Sequence, residues 1–479
     1  MRKWRPYGSR TDPGAWLSLA NMFPTEAGTY RTANAFTTFG TAAAGPATPG
    51  TTLTAWFGRV VDGTAVGYVG TSTKLYRASV ADFSAGTFTD ASAAAYTAST
   101  WSFCQFGNIT IAASLGNAVQ SRDATGSSAF ANLAGSPPVA KICVTQSNCV
   151  LLFNLTGAAH SFAVSDVGDH TNWSTGDAVA STPILHRAGP VTAAVAFQDY
   201  VLAFKSSSIY RLRYVGSPVY WTVELIADGI GAARMGSVCN CGSFVVFTGN
   251  QGAYLYDGAS FRNIGDGFNS SGTHLLEDAG SDTSPAIYYR SSNHVLFKSD
   301  DNQGYYVYSI NADAWGKFLP YASSDGSALT GFVPVGSDVG ALEYPQGIGN
   351  GSVVIANLSA NPCVRTDTEE SSNTVAATLS TTLFGRQDGM TNFDRLYLQL
   401  DKTSGWSFTQ PSATQLTVTP YTAESPSGSE TTGTAASSST NSLRFDINTT
   451  VRFARFDLAL NYACEIADVA VRQKPAGTD

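Results

Sequence analysis

Alternating apolar and polar residues, interrupted at short intervals by Gly, Asn and Asp, run along most of the chain. Residues 249–265, GNQGAYLYDGASFRNIG, show the unit of this pattern, because two short apolar stretches flank the pair Asp257-Gly258. An Asp-Gly pair between alternating residues is a strong hairpin signal, since Gly tolerates a positive φ at little cost. The stretch therefore predicts a β-hairpin that turns at this pair.

The hairpin belongs to a set of four short predicted strands, at 235–240, 243–248, 253–256 and 260–264. Similar sets lie at 102–133, 191–226 and 286–318. Across the chain, the third strand of each unit starts near residues 74, 118, 160, 209, 253 and 305, in steps of 42 to 52 residues. Four strands repeated at this period are typical of a β-propeller, in which each blade is a four-stranded sheet.

The repeat predicts six blades, and a weaker unit at 329–357 makes the number six or seven. A solenoid of β-turns is the competing architecture, but its repeats are shorter and more regular than these. Almost no segment has the apolar period of a helix, and residues 14–23, GAWLSLANMF, are the candidate for one short helix. The predicted fold class is all-β.

Beyond about residue 365 the predicted strands become longer, at 394–401, 415–421, 442–448 and 451–460. In the last of them the apolar phase slips between Phe453 and Phe456, which predicts a β-bulge near 454–455. The polar stretch 423–442 predicts a long mobile hairpin tip. We therefore divide the chain into an N-terminal arm (1–50), a β-propeller (51–365) and a C-terminal β-sandwich-like module (366–479).

Charged residues make up only 13% of the chain, about half the usual share, so Ser, Thr, Asn and Gly must form much of the surface. The net charge of -8 argues against binding nucleic acid as the main function. No stretch approaches the ~18 apolar residues of a membrane span. No apolar run follows the basic N-terminus, so we expect neither a membrane span nor an export signal.

Patterns of catalytic or cofactor-binding residues are absent from the sequence. The sequence has no Gly-x-Ser-x-Gly motif and no phosphate-binding loop. It has five histidines, none of them in a His-Glu-x-x-His motif: His160, His170, His186, His274 and His294. Glycosidase carboxylates face each other about 5–9 Å apart, whereas the acidic pairs here are sequence neighbours in turn-like contexts: Glu277-Asp278, Asp300-Asp301 and Glu369-Glu370. We predict no catalytic residue, no cofactor and no metal site.

An odd number of cysteines is scattered along the chain, which is unlike a secreted disulfide framework. Cys239 and Cys241 lie on one face of a predicted strand, but no second Cys or His pair at zinc spacing accompanies them. We expect buried reduced thiols at all seven positions: Cys104, Cys143, Cys149, Cys239, Cys241, Cys363 and Cys464.

Residues 165–173, SDVGDHTNW, partly match the Asp-box of sialidase-type propellers, Ser-x-Asp-x-Gly-x-Thr-Trp. Here Asp166 follows Ser165 directly, and the motif occurs once, whereas an Asp-box normally repeats between blades. The Asp-box is structural rather than catalytic. We interpret Asp166, Asp169 and Trp173 as a turn closed by an aromatic plug.

Several stretches together resemble the tail nozzle, or tail-hub, proteins of short-tailed bacteriophages. They are NMFPTEAGTYRTANAFTTFG (21–40), with an Asn-x-x-Pro segment before the first blade, GNQGAYLYDGASFRNIG (249–265), SDVGDHTNW (165–173) and the closing VRFARFDLAL and CEIADVAV. The resemblance spans nearly the whole chain. It implies a structural virion protein whose six copies form a tube below the portal and adaptor rings, through which DNA leaves.

The resemblance also implies a set of partners and a location. The chain would bind copies of itself as a hexameric ring, and adaptor and portal proteins, with tail fibres or spikes as further candidates. DNA would pass through without specific binding, and the tail would assemble in the host cytoplasm. The basic residues of the predicted arm suggest docking on an acidic neighbour, with a solvated disordered arm as the alternative: Arg2, Lys3, Arg5 and Arg10.

Two other functional classes stay open from the sequence. One is a carbohydrate-binding or carbohydrate-cleaving propeller at a cell surface, which repeated Asp-boxes or a convergent cluster of Arg and carboxylates would favour. The sequence shows neither feature. The other is a generic partner-binding propeller scaffold, which particle mass would distinguish from a ring-forming nozzle.

Overall fold

The computed structural model describes the following residues: 3–6, 9–12, 14–33, 36–38, 53–62, 64–78, 88–184, 186–270, 273–274, 276, 286–289, 293–298, 305–318, 332–334, 354–357, 363–366, 377–387, 389–400, 416–437, 443–460 and 464–476. These residues form β-strands, turns and one 3-10 turn at Met235–Ser237, with no α-helix among them. The predicted all-β class is confirmed.

The N-terminal segment contributes five strands, β1 (Lys3–Trp4), β2 (Ala15–Ala20), β3 (Met22–Pro24), β4 (Tyr30–Thr32) and β5 (Phe36–Thr38). The helix considered for residues 14–23 is therefore wrong. Asn21 adopts a positive φ of 56° and turns the chain between β2 and β3. Both strands pair with distant strands, and such tertiary pairing overrides a weak local preference.

Four-stranded antiparallel sheets then follow one another along the chain. The first five are β6 (Leu53–Val61), β7 (Thr64–Thr71), β8 (Leu75–Ala78) and β9 (Phe88–Asp90); β10 (Ser102–Phe106), β11 (Ile109–Ala113), β12 (Gln120–Asp123) and β13 (Ala131–Asn132); β14 (Ala140–Gln146), β15 (Cys149–Leu155), β16 (Ala158–Val164) and β17 (Val179–Pro183); β18 (Ala193–Phe197), β19 (Tyr200–Lys205), β20 (Ser208–Gly216) and β21 (Tyr220–Asp228); and β22 (Val238–Asn240), β23 (Val245–Gly249), β24 (Gly252–Tyr256) and β25 (Phe261–Asn263).

A short hairpin, β26 (Asn269–Ser270) and β27 (Thr273–His274), precedes the sixth set, β28 (Ile287–Tyr289), β29 (His294–Lys298), β30 (Tyr305–Ser309) and β31 (Ala314–Phe318). In the first six sets, the third strand starts within two residues of its predicted position. The hairpin at Asp257-Gly258 joins β24 to β25 as predicted.

The seventh set takes its fourth strand from the N-terminal segment. Its first three strands are β32 (Phe332–Pro334), β33 (Val354–Asn357) and β34 (Cys363–Thr366), and β5 completes the sheet by pairing antiparallel with β34. The first strands of neighbouring sets contact each other in the order β32, β6, β10, β14, β18, β22 and β28. The described strands thus form seven propeller blades, with the seventh set beside the first.

The C-terminal strands form two sheets that enclose a common core. They are β35 (Ala377–Thr381), β36 (Phe384–Gly385), β37 (Thr391–Leu400), β38 (Leu416–Ala423), β39 (Thr431–Thr432), β40 (Ala436–Ser437), β41 (Arg444–Val451), β42 (Phe453–Leu460) and β43 (Glu465–Pro475). One sheet runs β1-β2-β35-β42-β38-β39, and the other contains β4-β43-β37-β41. Leu379, Phe393, Phe445 and Leu458 are among the residues buried in this core.

Strand β3 connects the propeller to this C-terminal sandwich. It pairs with β4 on one side and with β31, the outer strand of blade six, on the other. A single sheet of nine strands therefore runs from β28 in the propeller to β41 in the sandwich. The segment predicted to be a separate arm instead supplies strands to both sheets of the sandwich and to blade seven.

The apolar phase slip near residues 454–455 has a different cause from the predicted bulge. β41 ends at Val451, the chain bends at Arg452, and β42 begins at Phe453 in the other sheet of the sandwich. The pairing of β42 with β38 is uninterrupted from Phe453 to Leu460. The slip arises because β42 buries apolar side chains on both faces: Phe453 packs with Leu383 and Ala423, whereas the core of the sandwich receives Ala454, Phe456, Leu458 and Leu460.

The polar stretch 423–442 folds back on its own sheet over the residues that the structure describes there. β39 and β40 both pair with β38, Thr432 facing Tyr421 and Ser437 facing Thr417. Residues 438–442 lie outside the described residues. The segment is thus an edge hairpin, to which a mostly polar sequence is suited.

Candidate functional site

The candidate functional site is the junction between the propeller and the sandwich, where blade six and the sandwich share one continuous sheet. The sequence predicted no catalytic residues for it to contain. The Tyr30 side chain on β4 lies at its centre, only 2% exposed. Its hydroxyl accepts a hydrogen bond from the Trp4 amide at 3.1 Å and donates one to the Trp315 carbonyl at 3.0 Å. Burial raises the pKa of Tyr30 far above its ordinary value, so the hydroxyl keeps its proton. One side chain therefore links β1, β4 and blade six.

His294, the first residue of β29, connects blade six to β3. The side chain is 4% exposed, and its Nε2 donates to the Pro24 carbonyl oxygen at 2.7 Å. Its ring lies 5.5 Å from the ring of Phe23, the residue before that proline. Burial lowers the pKa of His294 to about 4, although the bond to Pro24 partly opposes the shift. The ring is therefore neutral at pH 7.

A buried carboxylate holds the turn between β3 and β4. Glu465, at the start of β43, is 8% exposed and accepts hydrogen bonds from the hydroxyls of Thr25, at 3.1 Å, and Thr29. The hydroxyl oxygens of the two threonines also lie within hydrogen-bonding distance of each other. Hydrogen bonds of this kind offset the cost of burying a polar group, so the turn is fixed to the sandwich.

The basic N-terminal residues pair with acidic groups of the same chain. Lys3 Nζ lies 3.1 Å from an Asp313 carboxylate oxygen in blade six, and Arg5 Nη2 lies 3.0 Å from Asp266. Arg10 pairs with Glu430 in the edge hairpin. Arg2 lies outside the described residues. Lys3, Arg5 and Arg10 therefore pair with acidic groups of their own molecule, and docking on another protein stays a prediction.

Glu430 is shared between Arg10 and Arg455, which lies on β42. The Arg455 guanidinium is 2.9 Å from Glu430 Oε2, and the two side chains are 14% and 18% exposed. It also lies 4.3 Å from the centre of the Tyr421 ring. Partial burial alone would raise the pKa of Glu430, but Arg455 and Arg10 hold it below its ordinary value. The network fastens the N-terminal segment to the edge hairpin.

Asp166 organises the turn that resembles an Asp-box. Its Oδ1 accepts from the amides of Val167, at 2.9 Å, and Asp177, at 2.8 Å. Its Oδ2 accepts from the side-chain amide of Asn172 at 3.0 Å. Both carboxylate oxygens are used within the turn, which gives Asp166 a structural role.

The other two residues of the turn act in the same local way. Asp169 Oδ1 accepts from the Thr171 amide at 2.8 Å and from its hydroxyl at 2.6 Å, and these bonds lower the pKa of Asp169. Trp173 is 7% exposed, packs into the core between blades two and three, and donates from Nε1 to the His170 carbonyl at 2.9 Å. The turn is closed by an aromatic plug, as the sequence indicated.

Buried lysines at the ends of two second strands were missed by sequence reasoning. Lys205 is fully buried, and its Nζ donates to the carbonyl oxygens of Ile184, at 2.6 Å, and Arg187. Burial lowers its pKa. Lys298, at the end of β29, is 7% exposed, and burial lowers its pKa as well. Lysines are rarely buried, so residue type alone did not predict this burial. The one available signal was that both lysines end the second strand of a blade.

The structure does not bring the sequence-level candidates together. His160 and His170 are partly exposed, His186 is exposed, His294 is buried, and His274 lies in β27. The acidic pairs at 277–278, 300–301 and 369–370 lie outside the described residues. No group of three or more His, Cys, Asp or Glu within the described ranges is arranged to hold a metal ion.

The side chains of six of the seven cysteines are described, and each is buried and free of disulfide bonds: Cys104, Cys143, Cys149, Cys239, Cys241 and Cys464. Burial raises the pKa of Cys149 to about 12, with Asp166 and Asp177 adding to the shift. Such thiols are protonated and inert at neutral pH. In the part of the chain that is described, no helix is long and apolar enough to cross a membrane.

Comparison with known proteins gives no family. No family model matches the chain, and no curated protein matches it. Among solved structures it is similar to the computationally designed Ika8 protein, with a TM-score of 0.38 and 10% identity over 66% of this chain and 83% of that one. It is also similar to YCF48 bound to D1 peptide, with a TM-score of 0.40 and 10% identity over 67% and 93%. The fold assignment therefore rests on the strand pairing itself.

Proposed function

We propose that this chain is a structural subunit of the tail nozzle of a short-tailed bacteriophage. Six copies would form a tube below the portal and adaptor rings, and DNA would leave the virion through it. The proposal starts from the resemblance of four stretches of sequence to such proteins. The structural observation that carries it is the interlocking of the chain ends with the propeller.

The interlocking suits a part that must keep its shape while DNA is driven past it. The nine-stranded sheet joins propeller and sandwich by backbone hydrogen bonds as well as by a covalent link. Inter-domain contacts within a chain are usually small and permit relative motion. Here the contacts around Tyr30 and His294 oppose such motion, because separating the modules would break these hydrogen bonds and expose the apolar core around them to water.

Composition supports a passive conduit. The chain has 28 cationic residues against 36 acidic ones, and Lys3, Arg5 and Arg10 are paired within the molecule. A wall that grips phosphates would need several free Lys or Arg side chains. A surface rich in Ser, Thr and Asn would let a polyanion slide.

Immunoelectron microscopy of virions tests this proposal. An antibody raised against the chain should label the tail, below the portal vertex, and an antibody against a capsid protein serves as the positional control. Label on the capsid shell, or only on distal fibres, would contradict the nozzle function. Release of sugar from a host polysaccharide, abolished by changing one carboxylate, would instead support a carbohydrate-cleaving propeller.

A further inference from the structure

The outer strand of blade four differs from those of the other blades. β21 has nine residues, Tyr220–Asp228, and contains neither proline nor lysine. The outer strands β9, β13 and β25 have three, two and three residues, and β17 has five and ends in proline. Short edges and prolines are devices by which proteins avoid unwanted strand pairing. β21 lacks both.

The direction of the backbone groups on β21 follows from its pairing with β20. The Gly229 amide donates to the Ser207 carbonyl at 2.9 Å, so every second residue of β20 from Ser207 onwards bonds to β21. After the bulge between Leu225 and Ala227, the register places Arg211 opposite Glu224. The backbone N–H and C=O groups of Val223 and Leu225 therefore point away from β20, outward from the open edge of the sheet. No other described strand pairs with this edge.

The same chain shows that outer blade edges accept an extended segment. β31 is the outer strand of blade six, and β3 extends that blade by pairing with it, Met22 facing Lys317. β5 likewise adds to β34 in blade seven. The edge strand of the sandwich, β41, is less suited to this, because Asn448 adopts a positive φ of 50° in its middle, whereas the positive φ of 61° in β21 falls on its first residue, Tyr220.

The side chains beside this edge indicate which segment would fit. Val215 and Val219, at the tip of the β20–β21 hairpin, are 50% and 59% exposed, the highest values among the large apolar side chains described. Arg211 donates to Glu224 from Nε, at 3.1 Å, and from Nη2, at 2.6 Å, and both bonds reach Oε2. Within the described chain Oε1 accepts no hydrogen bond, so it can take a further donor.

We propose that the outer edge of β21 binds an extended segment of a partner protein as an added strand. The segment would place an apolar side chain over Val219 and a Lys or Arg side chain beside Glu224. Main-chain hydrogen bonds would supply most of the affinity, and these side chains the selectivity. The site is independent of the nozzle function, since any partner-binding propeller could use it.

Peptide binding to the full chain tests the site. The probe is a fluorescein-labelled nine-residue peptide of alternating Val and Thr with Lys at the centre. Matched probes carry Glu at the centre, or N-methyl groups on the amides of one edge. We expect the Lys peptide to bind about two- to fivefold more tightly than the Glu peptide. The N-methylated peptide lacks N–H donors along one edge, and we expect no measurable binding through that edge. The Glu224→Gln variant should lose the preference for Lys.

Val223→Pro removes the N–H group that points outward from the edge, and it leaves the hydrogen bonds to β20 in place. Val223→Thr is the matched control, because threonine keeps this N–H group. We expect the proline variant to bind the Lys peptide on the order of tenfold more weakly, and the threonine variant to bind normally. Hydrogen exchange gives a readout that needs no variant. The Val223 and Leu225 amides should exchange fast in the free protein and at least about tenfold more slowly with peptide bound.

Three results would overturn the proposal. The first is protection of both amides in the free, monomeric protein. The second is equal binding of all three peptides, or none at millimolar concentration. The third is a concentration-dependent dimer that Val223→Pro abolishes, because a second copy of the chain, rather than a partner, would then occupy the edge.

Discussion

Single buried polar residues make the junction sensitive to conditions, and His294 provides the pH-dependent case. Its pKa is about 4 in the folded protein and about 6.5 in an unfolded chain. Because the unfolded state binds the proton first, this contribution is complete above about pH 6.5 and is lost as pH falls towards 4. The loss amounts to at most about 3 kcal/mol.

We expect the urea midpoint of the native protein to fall more between pH 7 and pH 4.5 than that of the His294→Gln variant. His160→Gln, at a partly exposed position, is the matched control and should keep the native pH dependence. An identical pH dependence in the native protein and His294→Gln would show that this ring does not govern the acid stability.

Tyr30 provides the pH-independent case at the residue scale. Tyr30→Phe leaves the Trp4 amide and the Trp315 carbonyl without their buried partner, which should cost about 1–3 kcal/mol of unfolding free energy. Tyr254→Phe removes an exposed hydroxyl, bonded at 3.2 Å to Gln251, and should change stability by less than about 0.5 kcal/mol. Equal denaturation midpoints for the two variants would contradict the role assigned to Tyr30.

At the scale of elements, the N-terminal strands decide whether the rest of the chain can fold. A chain that begins at residue 51 lacks β1 to β5, which opens the edges of β31, β34, β35 and β43. We expect it to be aggregated, or to lose cooperative thermal unfolding, because exposed edges pair non-specifically. A chain that begins at residue 3 is the control. A soluble 51–479 chain that melts like the control would restore the interpretation of a separable arm.

The blades were predictable, whereas their closure was not, and the reason is sequence separation. Within a blade, neighbouring strands are joined by short Gly-, Asn- or Asp-containing turns, so local patterns such as Asp257-Gly258 fix the pairing. β3 and β5 are three residues long, and Thr38 pairs with Val364 across the whole propeller. Three residues carry no readable period, and no local signal indicates a distant partner.

The candidate site also depends on contacts between distant parts of the sequence, for which no local signal exists. The absence of catalytic motifs could be seen in the sequence, but the burial of Tyr30 and His294 depends on β1, β3 and blade six meeting in space. The slip near residues 454–455 resembled a bulge, because a strand that buries apolar side chains on both faces changes the apolar pattern in the same way as an inserted residue.

At the scale of the whole molecule, charge governs the expected behaviour towards DNA. With more acidic than cationic residues, we expect duplex binding no tighter than about 10⁻⁴ M at ~0.15 M salt. A fluorescence titration with a short labelled duplex measures this. Micromolar binding that collapses as salt rises would reveal a phosphate-gripping surface and contradict a passive conduit.

The copy number of the chain in assembled tails tests the nozzle function most directly. A closed ring leaves no unpaired heterologous surface. The resemblance to tail nozzle proteins implies six copies in that ring, around the tail axis and beneath an adaptor ring. Single-particle imaging of purified tails, with this chain fitted as one interlocked propeller and sandwich, should show six such densities around an open channel. One copy, or a fibre-like trimer away from the axis, would contradict the proposed function.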